Sequence, residues 1–150
     1  MSTENAGRRT ALTRGFSLIE ILVVVVIIGI LAAVVVPRVM DEPDRARVTK
    51  AKQDIQALAT SLNMYRLDNF VYPSTEQGLE ALVRRPSGQP DAPNWRDGGY
   101  LDRVPKDPWG RDYQYLYPGI HGEFDVWTFG ANGMSGGDGI NAEIGNWGDE

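Results

Sequence analysis

The chain has 150 residues, 42% of them hydrophobic, with a net charge of −5, one histidine and no cysteine. The missing cysteine excludes disulfides, thiolate metal sites and cysteine nucleophiles, and a single histidine gives no pair for a transition-metal site. The length allows one small domain beside a membrane segment, and the acidic balance argues against nucleic-acid binding.

Residues 1–15 (MSTENAGRRTALTRG) are polar, lack hydrophobic periodicity and read as a disordered leader. Arg8, Arg9 and Arg14 against Glu4 give this segment +2 and leave −7 to the remainder. Basic residues ahead of an apolar run keep that end in the cytoplasm, so the acidic part is expected across the membrane. The run itself is Phe16–Val36, 21 residues whose one charge is Glu20. As a helix it matches the roughly 30 Å hydrocarbon core of a bilayer at about 1.5 Å per residue. It is too long for a secretory h-region and no clear small-x-small site follows, so the anchor is expected to stay attached. A carboxylate inside such a run costs up to about 2.5–3.5 kcal/mol at the helix centre, so Glu20 needs a compensating charge.

Pro37 ends the run and Pro43 follows, which predicts a kink or an interruption. Asp41, Glu42 and Asp44 suit the first turn of a restarted helix. From Arg45 to Leu67, Val48, Ala51, Ile55, Leu58, Leu62 and Tyr65 step by three and four, which makes one apolar stripe. The stripe is expected to pack on the domain's own sheet, and Asp68-Asn69 closes the helix. Ser74 and Gln77 have capping-box spacing and start a short helix to about Arg84. Residues 86–99 form a Pro/Gly loop. Tyr113–Tyr117 and Phe124–Phe129 read as a hairpin joined through Pro118–Gly122. His121, in that connection, is expected to be a solvated turn residue. The last 21 residues carry seven glycines and no basic residue. They read as a flexible tail or, through Ile140, Ile144 and Trp147, as a segment folded back.

The chemistry concentrates at Arg14-Gly15-Phe16-Ser17-Leu18-Ile19-Glu20. Gly15 gives a protease unhindered access to the bond before Phe16, and cleavage there creates a positive amine. In a helix Phe16 and Glu20 stand one turn apart on one face, so the amine can neutralise Glu20 within a chain or between neighbours. Breaking such a buried pair costs about 3–5 kcal/mol.

This stretch resembles the class III leader junction of type IV pilins and pseudopilins. The resemblance extends through Tyr65–Asn69, Tyr72-Pro73, Thr75–Leu79, Pro105–Gly110, Tyr113–Tyr115, Gly130–Gly133 and Ile144–Trp147 to the major pseudopilins of type II secretion systems. It implies that a prepilin peptidase cuts between Gly15 and Phe16, that Phe16 is N-methylated, and that Glu20 guides assembly. It implies an α+β, type IV pilin-like fold, with a long N-terminal helix on a small antiparallel sheet and a glycine-rich C-terminal loop. The segments would be a cleaved leader (1–15), a transmembrane and filament-core helix (16–36), an amphipathic second half (37–67) and a periplasmic domain (68–150). The family's loop binds calcium, and the ligands carried over are the Phe129 carbonyl, Asn132, Asp138 and Asn141. Asn132 stands where an aspartate is usual and Gly139-Ile140 where more polar residues are, so either calcium or packing of Ile144 and Trp147 alone would hold the loop.

The implied function is structural: a homopolymeric filament subunit of the inner membrane and periplasm that promotes export of folded proteins across the outer membrane. The implied partners are copies of itself, the peptidase, minor pseudopilins and the inner-membrane assembly platform. No nucleotide-binding loop is present, so the energy comes from elsewhere. A type IV pilin or a minor pseudopilin is the neighbouring alternative. A membrane-anchored periplasmic enzyme or binding module would need a catalytic or ligand constellation. Asp107-Pro108-Trp109-Gly110 reads instead as a turn with an aromatic anchor, with no base or nucleophile beside it.

Overall fold

The structure is a computed structural model that describes the backbone of residues 15–148 and the side chains of that range other than 34–41. Residues 1–14 of the expected leader lie outside the described residues. The chain divides into two compact units, Met1–Met40 and Asp41–Glu150.

One helix, α1, runs Leu18–Asn69, and its backbone is helical through Pro37 and Pro43. The interruption expected at these prolines therefore does not break the helical backbone. Each proline forfeits one i→i−4 bond, and the adjoining turns keep the rest. Glu42–Arg45 and Asp44–Arg47 pair at 3.8 and 2.7 Å on the surface instead of opening a second helix. Among the described residues of the first unit, the apolar side chains are uncovered: Leu18 to Leu31 expose between 49% and 87% of their surface at the large hydrophobic positions. Among the described residues no helix is long and apolar enough to cross a membrane.

The second unit follows the stripe. Ala51, Ile55, Leu58, Leu62 and Tyr65 are buried in one core with Tyr72, Leu79, Leu82, Tyr113, Tyr115, Val126 and Ile144, and Val48 packs at its edge. Burying a leucine of this kind contributes about 1.5–3 kcal/mol. Strands β1 (Gln114–Leu116), β2 (Asp125–Thr128) and β3 (Ile144–Gly145) form an antiparallel sheet in the order β1-β2-β3. Tyr115 faces Val126, and Thr128 faces Ile144. The hairpin is present with shorter strands than the sequence suggests, and its third strand comes from the glycine-rich tail. That tail is folded back, with Ile144 buried as its anchor.

The capping box forms reciprocally: Gln77 N donates to Ser74 Oγ at 3.2 Å and Ser74 N to Gln77 Oε1 at 3.0 Å. It does not open an α-helix. Gly78, at φ +61°, turns the chain out of the helical region, and only a 3-10 helix at Leu79–Leu82 follows. The 86–99 loop is tied down by Trp95 Nε1, which donates to the Ala81 carbonyl at 2.8 Å, and by Asn94 Nδ2, which donates to Asp68 O at 3.0 Å.

The leader junction and the C-terminal loop

Gly15, Phe16 and Ser17 precede α1 in non-helical backbone. A side chain added at Gly15 would meet nothing within 4 Å, and Phe16 is 80% exposed. Among the described residues, both residues flanking the Gly15–Phe16 bond are exposed. Phe16 lies ahead of the helix, so in the uncut chain it does not share a helical face with Glu20. Glu20 instead occupies the first turn, where Ser17 N donates to its Oε2 at 3.3 Å. The Ser17 carbonyl accepts from Glu20 N and Ile21 N at 3.0 and 3.2 Å. An acid at this position suits the positive end of the helix dipole and occupies one of its unpaired amides.

The other candidate site begins at Asp107. Its buried carboxylate accepts from Trp109 N (3.0 Å), Arg111 N (2.8 Å) and the Thr128 hydroxyl. Gly110, at φ +86°, donates to Asp107 O at 2.9 Å and closes the turn, with Trp109 packed against the core. This is the structural turn the sequence suggests. The same network reaches the tail, because Gly130 N donates to Thr128 Oγ1 at 3.4 Å. The Arg111 guanidinium donates through Nη2 to the carbonyls of Gly130 and, at 3.1 Å, Ala131.

Of the four expected calcium ligands, Phe129 follows β2 and Asn132 Oδ1 accepts from Met134 N at 3.0 Å. Asp138 and Asn141 are brought together by a 3-10 turn in which Asn141 N donates to Asp138 O at 3.1 Å, while the Asp138 side chain makes no capping bond. Ala131 N donates to Ile140 O at 2.8 Å and joins the two ends of the loop. Backbone oxygens crowd inward: a Cβ on Gly130 would lie 2.6 Å from Ala142 O and 2.8 Å from Ile140 O, and one on Gly137 2.6 Å from Asn141 O. Glycine is what allows these approaches. The donors are all oxygen, which suits a hard cation. Among the described residues no three of His, Cys, Asp and Glu converge on one point, so the fit rests on amides, carbonyls and one carboxylate.

His121 is not a freely solvated turn residue. Its Nδ1 lies 3.0 Å from Asp125 Oδ2, and its ring stacks on Trp147 with centroids 3.9 Å apart. Burial would raise the Asp125 pKa, but hydrogen bonds from Ile120 N and from the His121 backbone and ring outweigh it and hold the carboxyl below its usual range. Asn146 completes this clasp. Its Oδ1 accepts from Val126 N at 2.8 Å and its Nδ2 donates to Phe124 O at 3.0 Å. Trp147 folds over Gly145 so closely that a Cβ there would lie 2.4 Å from the indole. Local spacing gives no sign of these contacts. The only hint in the sequence is a tryptophan and an asparagine in an otherwise small-residue tail.

Comparison with known proteins places the chain in one family. Residues 38–147 match the family described as type II secretion system (T2SS), protein G, and residues 11–36 match the prokaryotic N-terminal methylation motif. The chain is 62% identical over 133 residues to the type II secretion system core protein G of Pseudomonas aeruginosa, covering 89% of this chain and 94% of that protein. It is 57% identical to the Vibrio cholerae protein of the same description, covering 89% and 90%. A crystal structure of the major pseudopilin from the type 2 secretion system of enterohaemorrhagic Escherichia coli superimposes with a TM-score of 0.66. That pair is 47% identical and covers 75% of this chain and 96% of the other. The chain therefore belongs to the protein G family of type II secretion systems, the major pseudopilins, which are structural subunits and not enzymes.

Proposed function

We propose that the chain is held in the inner membrane by Phe16–Val36, is cut between Gly15 and Phe16 by a prepilin peptidase, and is N-methylated on Phe16. Copies then leave the membrane and stack these helices into a periplasmic pseudopilus that promotes export of folded proteins. The observation that carries this reading is the exposure of the apolar face all round the first half of α1. A helix apolar on every side needs lipid or other apolar helices around it. Before cleavage the Ser17 amide occupies Glu20. Afterwards the Phe16 amine supplies a full positive charge four residues from Glu20, in a run that has no side-chain cation. Minor pseudopilins and the inner-membrane platform are the proposed assembly partners.

Calcium belongs to the same proposal. The Phe129 carbonyl, Asn132, Asp138 and Asn141 would hold it, and its charge would draw the loop oxygens together. With one free carboxylate in the set, the affinity falls at the weak end for such sites.

The deciding experiment is the N-terminal mass of the full chain expressed with and without a prepilin peptidase. Loss of Met1–Gly15 and gain of one methyl group are expected with the enzyme only. An intact terminus in its presence would sink the reading.

A further inference from the structure

Asn132 is the one asparagine of the chain that a glycine follows. Glycine leaves its own peptide nitrogen unhindered, so an Asn-Gly pair is where a backbone nitrogen can reach a side-chain carbonyl. The turn adds to this. Met134 N donates to Asn132 Oδ1 at 3.0 Å, which folds the side chain over the Gly133 peptide and polarises the Cγ carbonyl. A donor already aimed at that oxygen also holds the negative charge that attack on Cγ places there. Among the described residues Gly133 N is loosely engaged, donating only to Gly130 O at 3.4 Å. The Arg111 guanidinium binds that same carbonyl and stands close to Gly133, where a Cβ would lie 3.0 Å from Cζ. A fixed positive charge beside an amide favours loss of its proton. The amide to be expelled is unheld as well. Among the described residues Asn132 Nδ2 makes no hydrogen bond, whereas Nδ2 of Asn69, Asn94 and Asn146 donates to backbone carbonyls.

We propose that Asn132 is a self-modifying site, converted without an enzyme to an acidic residue. Gly133 N gives up its proton to water and attacks Asn132 Cγ. The Cγ–Nδ2 bond breaks, Nδ2 takes up a proton and leaves as ammonia, and a cyclic imide remains. Water then adds to one imide carbonyl and breaks its bond to Gly133 N, which recovers a proton. Opening at Cγ gives aspartate, and opening at the main-chain carbon gives isoaspartate. Either leaves one new carboxylate, with one water consumed, one ammonia released and no change of oxidation state. The charge is formed next to the Arg111 guanidinium, which can pair with it. In the proposed calcium set it would join Asp138 as a second carboxylate and strengthen binding; that consequence rests on the calcium reading, and the conversion does not.

The test is peptide-level mass spectrometry of the full-length chain in detergent micelles, aged at mildly alkaline pH in water enriched in heavy oxygen. Asn132 should convert ahead of every other asparagine, with the mass gain of amide-to-acid exchange and one heavy oxygen per product. Arg111→Gln should slow the conversion about tenfold, and Gly133→Ala by at least as much. Gly133→Ala also strains the turn, at φ +69°. The folded wild type is therefore compared with the same chain in denaturant, where an unstructured Asn-Gly pair sets the reference rate. Conversion in the folded chain at least as fast as in denaturant, and slowed by Arg111→Gln, supports the inference. The same pattern in an aged chain whose melting point calcium does not raise supports it too, and removes the metal from the proposed function. An Asn132 that survives in the folded chain while converting in denaturant, or a rate that Arg111→Gln leaves unchanged or raises, would overturn it.

Discussion

The two halves of α1 share one backbone and differ in where their apolar side chains stand. Between Leu18 and Leu31 they point in every direction and remain exposed, whereas Ala51, Ile55, Leu58, Leu62 and Tyr65 form a single buried line. The second half carries its partner within the same chain, in the sheet and its flanking loops. Among the described residues the first half has none, so its free energy depends on what surrounds it. The proposed move from lipid to filament needs this division, because the folded part must survive a change of solvent around the other.

The sharpest way to break this comparison is to make the same deletion in both halves. Leu58→Ala opens a cavity in a closed core and should destabilise the second unit by about 2–5 kcal/mol. Leu22, 54% exposed, has no such core around it. Leu22→Ala should leave thermal melting of the second unit unchanged while reducing sedimentable filament in cells that assemble it. A melting point lowered equally by both substitutions would mean that the halves are not energetically separate.

A smaller effect tests the tail. The Asp125 carboxyl is held below its ordinary range in the folded chain. Its contribution to stability is therefore complete above the unfolded carboxyl pKa of about 3.9 and is lost as pH falls through the folded value. Asp125→Asn keeps the shape but loses acceptors for Ile120 N and His121, and should cost about 1–3 kcal/mol at neutral pH. It should also flatten the loss of stability below about pH 4 in denaturant titrations, whereas the helical signal of the first unit stays. An acid limb as steep in the variant as in wild type would detach Asp125 from the clasp.

How much of this was legible depended on how far apart the cooperating residues lie. The stripe from Val48 to Tyr65, the end of α1 at Asn69 and the Ser74–Gln77 box are local patterns, and all three formed. The box failed to open an α-helix because a glycine at φ +61° follows it; the spacing was legible, but the backbone sign was not. At the leader junction the sequence marked Gly15, Phe16 and Glu20, yet α1 starts at Leu18, so Glu20 meets Ser17 and not Phe16. In the tail, Ile144 and Trp147 stood out as anchors by size. Their partners did not: His121 lies 26 positions before Trp147, and Arg111 lies 19 and 20 positions before its carbonyls. Contacts of that range are set by the register of β1, β2 and β3, which strands of two to four residues do not announce.

The smallest expected effect lies inside the core that the second half of α1 helps to build. Tyr65 is fully buried, and its hydroxyl has no hydrogen-bond partner among the described residues. Burial, with smaller contributions from Tyr100 and Asp91, pushes its pKa up to about 12. The neutral phenol is therefore what the fold accepts. Its contribution is complete below the unfolded value of about 10 and is lost as pH rises through about 12. Tyr115, by contrast, donates to Pro73 O at 2.8 Å from an equally apolar setting. Tyr65→Phe removes a buried hydroxyl that nothing satisfies and should raise stability by about 1 kcal/mol, while Tyr115→Phe strands a carbonyl and should lower it by a similar amount. Chemical denaturation at pH 7 and again above pH 10 would show both: Tyr65→Phe should gain further on wild type at the higher pH. If the two substitutions shift stability in the same direction, the hydroxyl of Tyr65 is satisfied in solution, and the stripe carries a polar contact where apolar packing alone is inferred.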